Sequence, residues 1–324
     1  MGTPPTQDEV LTWFDKLSNW GRWGEDDVLA TLNYITPEKR KQAASLVKDG
    51  FSVSCSRLIP RHDPATALGG SNPTSYMIQS GERYVLGDNP EHPMFPGGKM
   101  LEWAAESVSF VFHGMVFTHI DDLGHVFWDG RMYNGRSSGL VKAAEGSTVQ
   151  SSEEMRDGIL TRGILYDIAR LKGKKALEPG EHVFPEDLEA FEAQYKVKAE
   201  AGDIVLLRTG YGSYIDALQP GEQPPHEHSG WNAACLPWFH ERKVAAIGSD
   251  VINDATPPGA FNQTILPVHQ IALVAMGLRL IDNAHLERLS EACAARNRYE
   301  FHFSLNPLRF HNGTGSPANP VATF

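Results

Sequence analysis

From Val108 to Ile120 the chain reads Val-Ser-Phe-Val-Phe-His-Gly-Met-Val-Phe-Thr-His-Ile and passes directly into Asp121-Asp122-Leu123-Gly124-His125. Branched and aromatic side chains of this kind favour a strand, along which successive side chains point to opposite faces. A strand over Val108 to Ile120 therefore places His119 and Asp121 on one face at its end, where an imidazole and a carboxylate can share one divalent cation. His125 returns from the next turn. There it can lie beside the ion without binding it and move a proton, which points to metal-assisted hydrolysis.

A chain of 324 residues with 41% hydrophobic residues has ample material for a buried core. Its 29 basic and 40 acidic residues leave a formal charge of -11, which repels phosphate backbones, so no nucleic-acid partner is expected. Cys55, Cys235 and Cys293 are widely spaced and form no CxxC pair, and they read as buried thiols in a reducing compartment. The amino terminus lacks the basic start and apolar stretch of a signal peptide, and no segment is long enough to cross a bilayer, so a cytoplasmic protein without membrane partners is expected. Gly2 with Thr6 fits the myristoylation pattern without a second anchor, and the glycosylation patterns at Asn262 and Asn312 matter only in a secreted chain.

Apolar periodicity predicts a helix over Gln7 to Leu17 and another capped by Thr36, running from Pro37 to about Lys48. Phe51 to Ile59 alternates as a strand. Pro60 to Met100, rich in Gly, Pro, Ser and Asn, reads as a long loop system with a short strand near Tyr84-Val85-Leu86. Strands are then expected at Gly163 to Ile168, Ile204 to Thr209, Val244 to Ile247, Leu278 to Ile281 and Tyr299 to Leu308. Helices are expected at Pro185 to Lys198, Ala234 to Arg242, Pro267 to Met276 and His285 to Ala295. The mixture predicts a single α/β domain over residues 1–324 with parallel and antiparallel pairs, preceded by a helical and aromatic extension over about residues 1–50.

Other catalytic signatures are missing from the sequence: there is no His-Glu-x-x-His helix, Walker loop or dinucleotide fingerprint. His226-Glu227-His228 sits in a polar loop, and Gly210-Tyr211-Gly212-Ser213 reads as a turn. A cation on His119 and Asp121 needs a third protein group, for which His269 and Gln270 are candidates at the start of an apolar helix. They are adjacent and about 100° apart on a helix, so one of them faces the site. Trp20, Trp23, Phe112, Phe117, Phe127 and Trp128 supply aromatic surface around the motif, with Trp23 and Phe127 the preferred substrate contacts.

Thr118, His119, Asp121 and His125 fit the second half of the pattern His-x-Gly-Thr-His-x-Asp-x-x-x-His, and through it the chain resembles the cyclase family, which includes bacterial kynurenine formamidases and isatin hydrolases. Gly163 to Asp167, Gly202 to Gly210, Ile247 to Asp250 and Gly315 to Pro320 continue the similarity in family order. The resemblance implies a swivelling β/β/α fold and a homodimer or homotetramer in which an amino-terminal segment closes a neighbour's pocket. It favours Gln270 over His269, giving His119, Asp121 and Gln270 on one Mn²⁺, with Zn²⁺ as the alternative, and His125 as general base.

Met115 and Phe117 stand where the formamidase pattern has its leading histidine and glycine, so a second metal is not expected. On an extended strand His113 lies roughly 20 Å from His119, which makes it a pocket or core residue rather than a ligand, and it is placed among the substrate contacts. The expected activity is hydrolysis of a small amide, lactam or lactone. Kynurenine formamidase, a dehydrating or ring-closing cyclase, and a catalytically silent metal-binding protein are the alternatives.

Overall fold

Four runs dominated by apolar side chains, Ile159–Asp167, Ile204–Arg208, Ala246–Ser249 and Arg279–Asp282, are almost wholly buried and lie side by side as parallel strands. Parallel strands are covered on both faces, which explains the lack of polar alternation in them. Ile204, Val205, Leu206 and Leu207 are all fully buried, each worth about 1.5–3 kcal/mol relative to exposure. The computed structural model describes residues 2–61, 73–87, 94, 96–97, 102–219, 222, 225–257 and 261–324.

Antiparallel strands extend this centre on both sides. Glu300–Leu305, Val321–Thr323 and Ser52–Ser54 follow beyond Ile159–Asp167, and His119–Asp121 then Gly315–Pro317 follow beyond Arg279–Asp282. The result among the described residues is one mixed sheet of nine strands, with the expected blend of parallel and antiparallel pairs. No helix among the described residues is long and apolar enough to cross a membrane.

The first two helices start as expected, at Gln7 behind Thr6 and at Pro37 behind Thr36, each threonine hydroxyl accepting a backbone N–H of the first turn. The second ends early, at Ala44. There the Ser45 hydroxyl bonds back to the Gln42 carbonyl and competes with helix continuation. Pro267–Gln270 is α-helical and passes into a π-helical stretch over Ile271–Met276 that closes at Gly277, φ +64°. A Cβ at Gly277 would strike Ala30 and Tyr133, so that turn also needs a bare backbone.

Three expectations fail. The strand over Val108 to Ile120 is two strands, Ala105–Ser109 and His119–Asp121, with an irregular segment between them in which Gly114 takes φ +124°. Ala105–Ser109 pairs with Thr74–Gln79 in a separate ribbon. Much of the Pro60 to Met100 loop lies outside the described residues, but Gly81–Val85 is a short helix where a strand at Tyr84-Val85-Leu86 is expected. Register shifts between Met77 and Gln79, at the end of the ribbon strand, and the chain curls instead. Phe51 to Ile59 contributes only Ser52–Ser54 to the sheet.

Asp122 and Arg279 anchor the site strand from behind. Both are fully buried, and Arg279 Nε donates to Asp122 Oδ1 at 2.8 Å while its two terminal nitrogens donate to the Leu29 and Val28 carbonyls. One guanidinium thus ties the strand to the amino-terminal segment.

Candidate metal centre

His119–Asp121 runs antiparallel to Arg279–Asp282 so that His119 faces Asp282 in register. His119 Nδ1 lies 2.8 Å from the Phe117 carbonyl. A carbonyl can only accept, so this nitrogen carries the proton and leaves the Nε2 lone pair free. That Nε2 stands 3.3 Å from Asp121 Oδ1 and 4.0 Å from Asp282 Oδ2.

The helix beginning at Pro267 delivers a second imidazole. Asp254 accepts the backbone N–H groups of Val268 at 2.8 Å and His269 at 3.0 Å, and also His269 Nδ1 at 2.6 Å. One carboxylate therefore satisfies the helix start and fixes the ring. His269 Nε2 then lies 3.2 Å from Asp282 Oδ2 and 3.6 Å from Asp121 Oδ2. Asn253 holds the other Asp282 oxygen through its side-chain and backbone N–H groups.

His113 belongs to the same cluster. The turn at Gly114 folds it back, so that its ring centroid is 5.3 Å from that of His119 rather than the roughly 20 Å an extended strand would impose. Its Nδ1 is 2.9 Å from Asp121 Oδ1, its Nε2 is 3.1 Å from the Thr314 hydroxyl, and its ring stacks on His125. His125 Nε2 is 3.8 Å from the same Asp121 oxygen. Two sets of donor atoms share Asp121, one with His113 and His119 and the other with His269 and Asp282, and within each set the atoms lie within 4.8 Å of one another.

Both Asp121 oxygens are buried and neither makes a well-aligned hydrogen bond. Four imidazole nitrogens converge on them without satisfying them, which is the arrangement a divalent cation would complete. Imidazole and carboxylate donors together suit a first-row transition metal.

Burial opposes protonation of His119, but Asp121, Asp282 and the Phe117 carbonyl outweigh it and raise its pKa. His269 behaves alike: burial opposes its charge, and Asp282 and Asp254 lift it well above the ordinary histidine value. Asp121 resists burial through the charges of His125 and His119 and its approach to His113, and is held well below the carboxylate range. Burial pushes His125 down to about 4, against the pull of Asp121. His119 and Asp121 side chains are 1% exposed whereas His113 and His125 are 21% and 30% exposed, so the cluster opens on the side of the stacked pair.

His119, Asp121, His125 and His113 come together, and Asp282 and Asp254 join them unforeseen. Asp282 ends an apolar strand just as Asp121 does, and that shared pattern is the signal that could have found it. Next to His269, Gln270 has a buried amide oxygen without a hydrogen bond. Phe127 is 39% exposed two residues beyond His125. Phe112 forms the nearer aromatic wall, 4.5 Å from the His113 ring and 6.1 Å from Phe310. Trp23 packs edge-on against Tyr34, whose carbonyl abuts Gly202 at the end of the parallel strands remote from Asp282.

Residues 51–254 match the model of the Cyclase family, described as "Putative cyclase". A crystallised novel cyclase superposes with a TM-score of 0.84 at 30% identity, over 96% of this chain and 99% of its own. Isatin hydrolase A from Labrenzia aggregata, bound to benzyl benzoate, gives 0.54 at 18% identity over 86% and 94% of the two chains. Isatin hydrolase A from Ralstonia solanacearum gives 0.55 at 16% over 99% and 98%. At those identities the two hydrolases show a shared fold. No curated protein matches in sequence. The family model covers well over half of the chain, and the cyclase structure shares its fold over nearly all of it, so this chain belongs to the Cyclase family.

Proposed function

We propose that the protein is a metal-dependent hydrolase acting on a small amide, lactam or lactone, with His125 moving the proton. The observation that carries the reading is the Asp121 carboxylate, buried, unsatisfied and ringed by imidazole nitrogens. A divalent cation held there supplies Lewis-acid polarisation of the scissile carbonyl and a lowered pKa for attacking water. Asp121 and His119 would hold it, with His113 on one side and His269 and Asp282 on the other. Gln270 offers a further neutral oxygen. Mixed nitrogen and oxygen donors accept Mn²⁺, and Zn²⁺ competes for any such site by intrinsic affinity.

His125 stays neutral at physiological pH because burial depresses its pKa, so its free nitrogen can accept a proton and return it to the leaving nitrogen or oxygen. Phe112 and Phe310 give a flat ring an apolar surface beside it. The isatin hydrolases that share the fold are hydrolases by name, which supports the reaction class. A substrate contact from Trp23 would require a neighbouring copy, in keeping with a homodimer or homotetramer.

The test is metal analysis followed by a screen of N-formyl amides, lactams and lactones with and without chelator. Turnover of one class that chelator abolishes, Mn²⁺ or Zn²⁺ restores, and Asp121→Asn lacks is the expected result. Full metal occupancy with no turnover of any class would refute the hydrolase reading.

A further inference from the structure

The helix that delivers His269 runs from Pro267 into the π-helical stretch Ile271–Met276, and every residue of that stretch is buried. The last carbonyls of a helix have no partner within it, and buried carbonyls need one. Here the amino-terminal segment supplies the donors. Trp20 Nε1–H donates to the Val274 carbonyl at 2.7 Å, the Asn19 backbone N–H to that of Ala275 at 2.9 Å, and the Asn19 side-chain amide to that of Met276 at 2.8 Å. The Thr31 hydroxyl donates to the Gly277 carbonyl at 2.8 Å. Four successive acceptors are thus met from one distant stretch of chain.

The same stretch reaches the other end of the helix. Gln7–Lys16 lies alongside Ile271–Met276 and buries the stripe Val10, Trp13 and Leu17. At its start, Gln7 Oε1 accepts the backbone N–H groups of Asn262 at 2.9 Å and Gln263 at 3.1 Å, just before Pro267. Farther along, the Phe14 ring stacks on Trp128, with centroids 4.4 Å and planes 13° apart, in the loop that follows His125. One segment therefore touches the approach to the His269 helix, the end of that helix and the loop after the proposed base.

A close-packed interior has no slack, so a shift at one end of a buried helix is felt at the other. Val274 lies about 8 Å along the axis from His269, at roughly 1.5 Å per residue. The His269 Nε2 atom must stay aimed at Asp121 and Asp282. Asp254 grips the helix start, and the amino-terminal segment grips the rest.

We propose that Gln7, Asn19 and Trp20 are positioning residues for the metal centre: within one chain they splint the His269 helix and keep its imidazole at the distance an ion needs. None of the three belongs to the donor sets around Asp121. The consequence for metal rests on the metal-hydrolase reading, whereas the grip on the helix does not.

Co²⁺ alone is the probe, titrated into the full chain and followed by its visible absorption, which reports the ligand set. Trp20→Phe keeps a ring and removes the N–H, and Gln7→Ala removes the acceptor. Each should bind Co²⁺ about ten-fold more weakly, with an altered spectrum. Gln7→Glu keeps an acceptor oxygen and should restore parental affinity. Trp20 is exposed and Gln7 half-buried, so the folded state should survive both changes. Parental affinity and spectrum in either Trp20→Phe or Gln7→Ala, whatever the urea midpoint, or a loss that Gln7→Glu does not restore, overturns the assignment. A parent that takes up no Co²⁺ refutes the metal-hydrolase reading, and hydrogen exchange of the Val268 to Met276 amides then decides the splint: faster exchange in Trp20→Phe keeps it, and unchanged exchange rejects it.

Discussion

The rings of His113 and His125 lie face to face, with centroids 3.8 Å apart and planes 1° from parallel, and each presents a nitrogen to the same Asp121 oxygen. Two protonated rings at that separation would repel strongly, so the stack favours a state with at most one charge. His113 is nearer Asp121 and is bonded to Thr314, while burial keeps the His125 ring neutral.

His125→Ala should therefore retain the metal and lose turnover by roughly 10²–10⁴-fold. Metal content by atomic emission and kcat on the same preparation check this. Undiminished kcat in the metal-loaded variant would remove His125 from the chemistry.

Asp254 sets the His269 ring through three donors on one carboxylate. Asp254→Asn should weaken Mn²⁺ binding by about 10–100-fold while the fold persists, as removal of an outer partner of a ligand does. Competition with a metal indicator would measure it, and unchanged affinity would exclude His269 from the centre.

Arg279→Met leaves Asp122 buried without its counter-charge. The expected cost is about 3–5 kcal/mol in urea unfolding, with the amino-terminal segment loosened first because Arg279 also holds the Val28 and Leu29 carbonyls. A midpoint within error of the parent would show that Asp122 finds water instead.

The raised pKa values of His119 and His269 give the metal-free protein a definite pH response. Between the unfolded value near 6.5 and the raised folded values the native state binds more protons, so this contribution is fully present below about pH 6.5 and is lost as pH rises through the folded values. Metal binding must displace those protons, so metal affinity should rise over the same window. Urea titrations from pH 6 to 9 with and without Mn²⁺ should diverge as pH increases, and His269→Asn should flatten the metal-free curve. Parallel curves would contradict the assignment.

His119, Asp121 and His125 were legible because their spacing is local: alternation along a strand and one turn decide their faces. Much of the sheet was legible for the same reason, since Ile204–Arg208 and Arg279–Asp282 are uninterrupted buried runs. His113 was misplaced because one glycine at φ +124° reverses a segment whose composition reads as extended. Asp254 was hidden because its role depends on which segments the fold brings together, whereas Asp282 left one local trace, its place at the end of an apolar strand like that of Asp121. Gly315–Pro317 and Val321–Thr323 are too short, and too close to prolines, to show a period.

The strand that carries His119 and Asp121 is sandwiched between Arg279–Asp282 and Gly315–Pro317, both of which leave the ribosome far later. A nascent chain holding the early histidines has neither edge to dock them against, and such non-local pairing is slow to form. Capture of an ion by this cluster would consequently come late, withheld until Gly315–Pro317 has been made and has docked beside His119–Asp121.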